Sequence, residues 1–136
     1  MTRLDGEALI AAQGEGPILR IDAPISFWGG VDPKTARITD PRHPRHGECL
    51  SGRVVAIAEL RGSSSSSAVL LELIHARIGP AAILLCESDA ILALGALVAR
   101  EMGYGDLAMV KLSRSDFALL AEGRHAHVDG ARVTLG

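Results

Sequence analysis

Aromatic side chains are scarce in this 136-residue chain: Phe27, Trp28, Tyr104 and Phe117 are the whole set. A core must then be built from Ala, Leu, Ile and Val, a palette that suits helices laid on a sheet. Cysteine is scarcer still. Cys49 and Cys86 lie far apart with no C-x-x-C spacing, which excludes a disulfide framework and leaves a cytoplasmic protein with reduced thiols as the expectation. Met1 to Gly6 carries charges and no apolar core of a secretory signal. The longest apolar tract, Ala81 to Ala99, is broken by Glu87, Ser88 and Asp89, so no membrane span is expected. Basic residues are spread along the chain and the formal net charge is −2, so no nucleic-acid partner is expected. Internal repeats are absent, and so is the Gly-x-x-x-x-Gly-Lys-Ser/Thr pattern of nucleotide-binding loops.

What is present is apolar bulk, 48% of residues, enough for one domain over residues 1–136 with a core of its own. The chain turns on Arg61-Gly62-Ser63-Ser64-Ser65-Ser66-Ser67, which passes directly into Ala68-Val69-Leu70-Leu71-Glu72-Leu73-Ile74. A strand-like run leads in and a helical run leads out, so the serines read as a strand-to-helix turn and not as a flexible linker. Such a helix start presents free backbone N–H groups and the positive end of the helix dipole to an anion.

The remaining elements follow from periodicity and punctuation. Ala8 to Ala12 and Pro17 to Ile21 read as two short strands with Gly14-Glu15-Gly16 as a hairpin or turn between them. Pro33, Pro41 and Pro44 forbid a regular helix after Ser26, so residues 26–48 form a long loop, with Trp28 and Ile38 available as anchors. Val54 to Ala58 is apolar throughout, as in a strand covered on both faces. A helix runs from about Ser64 to Ala76, stopped by Gly79-Pro80. A buried strand covers Ala81 to Cys86, Asp89 caps a helix that ends at Gly103, and Leu107 to Leu112 is a third strand of this set. Ser115 or Ser113 caps a short helix, and Asp129-Gly130 marks a C-terminal hairpin. The fold class is α/β: a mixed sheet with flanking helices and additional β-strands at both ends.

Three segments carry a family resemblance: V-D-P-K-T-A-R-I-T-D-P-R-H-P-R-H-G at 31–47, R-G-S-S-S-S-S-A-V-L-L-E-L at 61–73, and G-P-A-A-I-L-L-C-E-S-D-A-I-L-A-L-G-A-L-V-A at 79–99. Together, in this order over roughly residues 6–136, they resemble the small subunit of aconitase X, which implies a swivelling β/β/α domain. The family dehydrates a small hydroxy acid, with a serine of this domain as proton acceptor. Its Gly-Ser-x-x-x-Ser motif puts the acceptor on Ser63 and the trailing serine on Ser67. Ala36 and Ser66 stand where the family commonly has Gly, which touches the geometry of those two turns.

The chemistry has physical reasons to want this turn. Abstracting a proton beside a carboxylate and losing hydroxide from the next carbon needs a base and something to hold developing negative charge. A serine is a poor base in water, but a helix N-terminus and a neighbouring Arg61 lower the cost of its alkoxide. Arg61, Gly62, Ser64 and Ser67 are the expected substrate-binding residues, Gly62 because a side chain there blocks close approach; Arg61 could equally pair with a surface acid. The resemblance also implies an Fe–S cluster as Lewis acid. Two badly spaced cysteines cannot ligate it, so no metal is expected on this chain and the cluster is expected on a large aconitase X subunit. Asp32, Asp40, His43 and His46 are read as turn formers and contacts to that partner. Trp28, beside Gly29-Gly30, reads as a packing anchor of the long loop, with a wall of the active-site cleft as the alternative, and whether loop 26–48 touches substrate or only the partner stays open. His125 and His127 share a strand face, Cys86 reads as a small core residue, and nothing marks Cys49 as reactive.

Two substrates compete, cis-3-hydroxy-L-proline and mevalonate 5-phosphate. The run R-G-S-S-S-S-S-A-V-L-L-E-L looks more like the hydroxyproline type, and Arg61 is the only basic residue near the serines in sequence. Rivals from other classes are a non-catalytic anion-binding regulatory module and a mobile phosphoryl carrier. The carrier needs a histidine at the turn, and His75 lies at the far end of the helix.

Overall fold

Val54–Ile57 and Ala82–Leu85 are buried at every position, which happens only when a sheet is covered on both faces. The computed structural model, which describes residues 2–62 and 64–136, shows how. In chain order its elements are β1 (Thr2–Asp5), β2 (Glu7–Ile10), β3 (Gln13–Ile21), a single distorted turn α1 (Phe27–Gly30), β4 (Val54–Ile57), α2 (Ser66–His75), β5 (Ala82–Leu85), α3 (Ala90–Glu101), β6 (Ala108–Lys111), α4 (Arg114–Phe117), β7 (His125–Asp129) and β8 (Arg132–Leu135).

All eight strands form one sheet in the order β1-β8-β7-β3-β4-β5-β6-β2. β3, β4, β5 and β6 run parallel to one another, and the remaining pairs are antiparallel. β1 and β2 occupy opposite edges yet are separated in sequence by Gly6 alone. The sheet must therefore curl until its edges meet, giving a nearly closed barrel. Gly6 makes the join: its N–H donates to the Ala131 carbonyl (2.8 Å), and a Cβ there would lie 2.5 Å from the Lys111 carbonyl oxygen.

Strand alternation sorts the apolar residues into two cores. Leu4, Ile18, Val54, Ala56, Leu84 and Val110 fill the inside of the barrel, together with residues of β7 and β8. Leu19, Ile21, Val55, Ile57, Ile83 and Met109 point outward, under α2, α3 and the long loop. α2 and α3 cross closely enough that a Cβ on Gly95 would meet the Ser67 carbonyl oxygen at 2.5 Å. The expected α/β fold, with a mixed sheet and extra strands at both ends, is what is found.

Three local expectations are corrected. Gly14-Glu15-Gly16 is not a turn: Gln13–Ile21 is one strand, pairing with β7 up to Pro17 and with β4 from Ile18 on. The glycines are there for close approach, since a Cβ on Gly14 would run into the Ala81 carbonyl and one on Gly16 into that of Gly52. α2 ends at His75 and is closed not by Gly79-Pro80 but by Arg77, which takes a left-handed φ of 62° and lets the Ile78 N–H reach the Leu73 carbonyl (3.1 Å). The anchor of the long loop beside Ile38 is Phe27, fully buried; Trp28 is 61% exposed. Elsewhere the punctuation holds: Asp89 accepts from the Leu92 N–H (2.8 Å), Ser113 and not Ser115 caps α4, and Gly130-Ala131 turns the last hairpin.

Candidate functional site at the strand-to-helix turn

The polypeptide leaving β4 is held before it reaches the serines. Ala58 N–H donates to Ile21 O (3.0 Å), Ile25 N–H to Glu59 O (3.2 Å) and Arg61 N–H to Ile25 O (2.9 Å), so pairing continues beyond the strand as far as Arg61. Gly62 then has open space where a Cβ would stand. Ser63, the expected proton acceptor, lies outside the described residues. On its far side Ser64 and Ser65 turn, and α2 starts at Ser66.

The four expected substrate-binding residues fall in different surroundings. Arg61 is exposed and lines an open cleft with Ser26, Trp28, Asp40 and His43. Gly62 lines a narrower crevice with Ser66, Asp89 and Leu92, where the N-termini of α2 and α3 approach each other. Ser64 is exposed and its carbonyl accepts the Ser67 hydroxyl (2.9 Å), so Ser67 ties the turn. Ser66 is 5% exposed, and its Oγ has no hydrogen-bond partner among the described residues. The structure thus brings Arg61, Gly62 and Ser64 to one open end of the barrel, beside α2's positive pole.

The long loop supplies the opposite wall and is fixed by its own polar groups. His43 is buried; its Nδ1 accepts from the Arg45 N–H (3.0 Å), which leaves Nε2 to donate to the Ala23 carbonyl (3.3 Å). Arg45 reaches Glu122 (2.7 Å), and Arg53 bonds Glu48 (2.7 Å) and lies 3.7 Å from Glu122, tying the loop to the barrel. The bond from Arg53 holds the Glu48 carboxyl below its usual value, and burial pushes the Cys86 thiol up. Among the described residues no group of three His, Cys, Asp or Glu side chains is placed to hold a metal ion. Cys49 packs against the outer core and Cys86 against the inner one, on opposite faces of the sheet, so they do not fit a shared cluster. His125 and His127 do share the outer face of β7, and His127 lies 3.6 Å from Glu15.

One feature of this end was not visible in the sequence. Asp89 is legible as a helix cap but not as a wall of the Ser66 crevice, a placement that depends on segments brought together by the closed sheet. Trp28, beside Gly29-Gly30, is legible as a loop anchor or as a cleft wall, and it stands at the rim of the Arg61 cleft.

Residues 3–135 match the family described as the aconitase X swivel domain. The chain belongs to this family. As a swivel domain it is 46% identical over 123 residues to a cis-3-hydroxy-L-proline dehydratase of Pseudomonas aeruginosa, covering 85% of this chain and 21% of that protein. It is 34% identical to the phosphomevalonate dehydratase small subunit of Pyrococcus furiosus, covering 96% of this chain and 91% of that one. The swivel domain therefore spans about a fifth of the first relative and nearly all of the second. Its structure superposes on the crystal structure of Thermococcus kodakaraensis aconitase X in its holo-form with a TM-score of 0.88 and 27% identity, over 100% of this chain and 99% of that one. No helix among the described residues is long and apolar enough to cross a membrane.

Proposed function

We propose that this chain is the swivel-domain part of an aconitase X-type hydro-lyase that removes water from cis-3-hydroxy-L-proline. Ser63, as its alkoxide, accepts the proton from the carbon that bears the carboxylate; hydroxide leaves the neighbouring carbon as the ring double bond forms and takes up one proton to become water, and Ser63 then gives its proton back to solvent, so the net change is loss of one water. Arg61 and the free N–H groups at the start of α2 hold the carboxylate, whose charge grows as the proton leaves. Gly62 keeps the approach clear, and Ser64 and Ser67 fix the turn that aims the acceptor. The observation that carries this reading is Arg61 standing exposed in an open cleft, next to Gly62, where the place of a side chain is open space. The Fe–S cluster belongs to a larger partner, since this chain's cysteines face opposite cores. A cytoplasmic location goes with such an assembly.

The hydroxyproline substrate is supported by 46% and 39% identity to two dehydratases of that name, from Pseudomonas aeruginosa and Hypocrea jecorina. Mevalonate 5-phosphate is the second reading, favoured by the length match to the Pyrococcus furiosus small subunit. Both are tested by combining this chain anaerobically with the larger cysteine-bearing dehydratase chain of the same genome and measuring water loss from each substrate. Cis-3-hydroxy-L-proline is expected to turn over, and Ser63→Ala to reduce kcat by about 10²-fold or more. Full turnover by Ser63→Ala would remove the proposed base, and exclusive turnover of mevalonate 5-phosphate would install the second reading.

A further inference from the structure

We propose that the surface centred on Trp28 is where this domain seats on the larger part of the dehydratase, receiving an apolar side chain that basic residues flank. The inference rests on the functional reading above. Trp28 is 61% exposed, while Phe27 beside it is fully buried. Single exposed apolar residues are ordinary, but a large aromatic beside an apolar hollow marks an interaction surface. Trp28 divides two hollows. On one side is the Arg61 cleft, with Ser26 and Asp40. On the other is a pocket formed with Val31, Pro33, Ala68 and Val69, edged by Asp32 and Glu72.

The occupant follows from continuity and charge. Developing charge at Arg61 is held best when water is shut out of its cleft, and this chain has no segment over that cleft among its described residues. Whatever closes the cleft must pass Trp28, which lines it. The chain spans 22% and 21% of the two hydroxyproline dehydratases it resembles, so the natural cover is the remaining four-fifths of such an enzyme. The second hollow offers apolar walls to a protruding side chain, and Asp32 and Glu72 at its edge favour basic neighbours. Leu94 and Leu97 of α3 and Met102 just after it are also exposed, but none of them lines the Arg61 cleft.

The test compares affinities for the larger dehydratase chain from the same genome, measured anaerobically by interferometry, with circular dichroism to verify that each variant folds. Trp28→Ala removes the ring, Ala68→Trp fills the hollow from an exposed position of α2, and Leu94→Ser with Leu97→Ser alters the α3 face. The first two are expected to weaken binding about tenfold or more, as truncating a central aromatic does, and the α3 pair less than twofold. Wild-type binding that Trp28→Ala and Ala68→Trp leave intact overturns the surface assignment while the functional reading stands. Loss of binding in the α3 pair alone has the same meaning. Failure of the unsubstituted chain to bind overturns the two-part reading and this surface with it. A self-association of this chain that Trp28→Ala abolishes, seen by sedimentation, overturns the assignment in favour of a second copy.

Discussion

Glu48 and Arg53 show how single residues hold the long loop in place. The 2.7 Å bond between them lowers the Glu48 pKa, so its stabilisation is fully present above the ordinary glutamate value of about 4.3 and disappears as pH falls through the lowered one. Glu48→Gln is therefore expected to reduce stability at neutral pH and to match the unsubstituted chain in strong acid, which urea unfolding across a pH series will read. A constant difference at all pH values would mean that the ionic bond does nothing. Ser66 is the opposite case. Its buried hydroxyl has no partner among the described residues.

At the scale of elements, two positions hold left-handed backbone without being glycine. Arg77 (φ 62°) closes α2 and is exposed; Ala36 (φ 62°) sits in the Asp-Pro-Lys-Thr turn and is fully buried. Arg77→Gly is expected to relieve strain and raise stability by about 0.5–1 kcal/mol. Ala36→Gly relieves the same strain but removes a buried methyl worth about 0.8 kcal/mol, so it should come out near neutral. Thermal melts of the two variants decide; a gain at Ala36 as large as that at Arg77 would show that its methyl contributes nothing. The run from β4 to β6 was legible because each strand is covered on both faces and the helix before β6 carries its own start at Asp89 and its own stop at Gly103. β3 was not. Gly14-Glu15-Gly16 has the local chemistry of a turn, and the reason for its glycines lies far off, in the backbones of Ala81 and Gly52. The site was legible at its centre, Arg61 to Ser67, because one contiguous stretch carries it. Its walls were legible only at Trp28, since Asp40 and Asp89 reach it through the curled sheet.

The whole molecule depends on that curl. Removing Thr2–Asp5 would strip the partner from β8 and take Leu4 out of the inner core. An unpaired strand edge invites pairing between molecules, so the shortened chain is expected to sediment as oligomers or aggregates, whereas a clean monomer would mean that closure is dispensable. Closure also sets an order of events within the domain. Thr2 pairs with Leu135 and Asp5 with Arg132, so β1 has no partner until β8 has formed. Until then the parallel strands can assemble, but the barrel stays open along one seam. Its final step joins strands far apart in sequence, the kind of distant contact that slows folding.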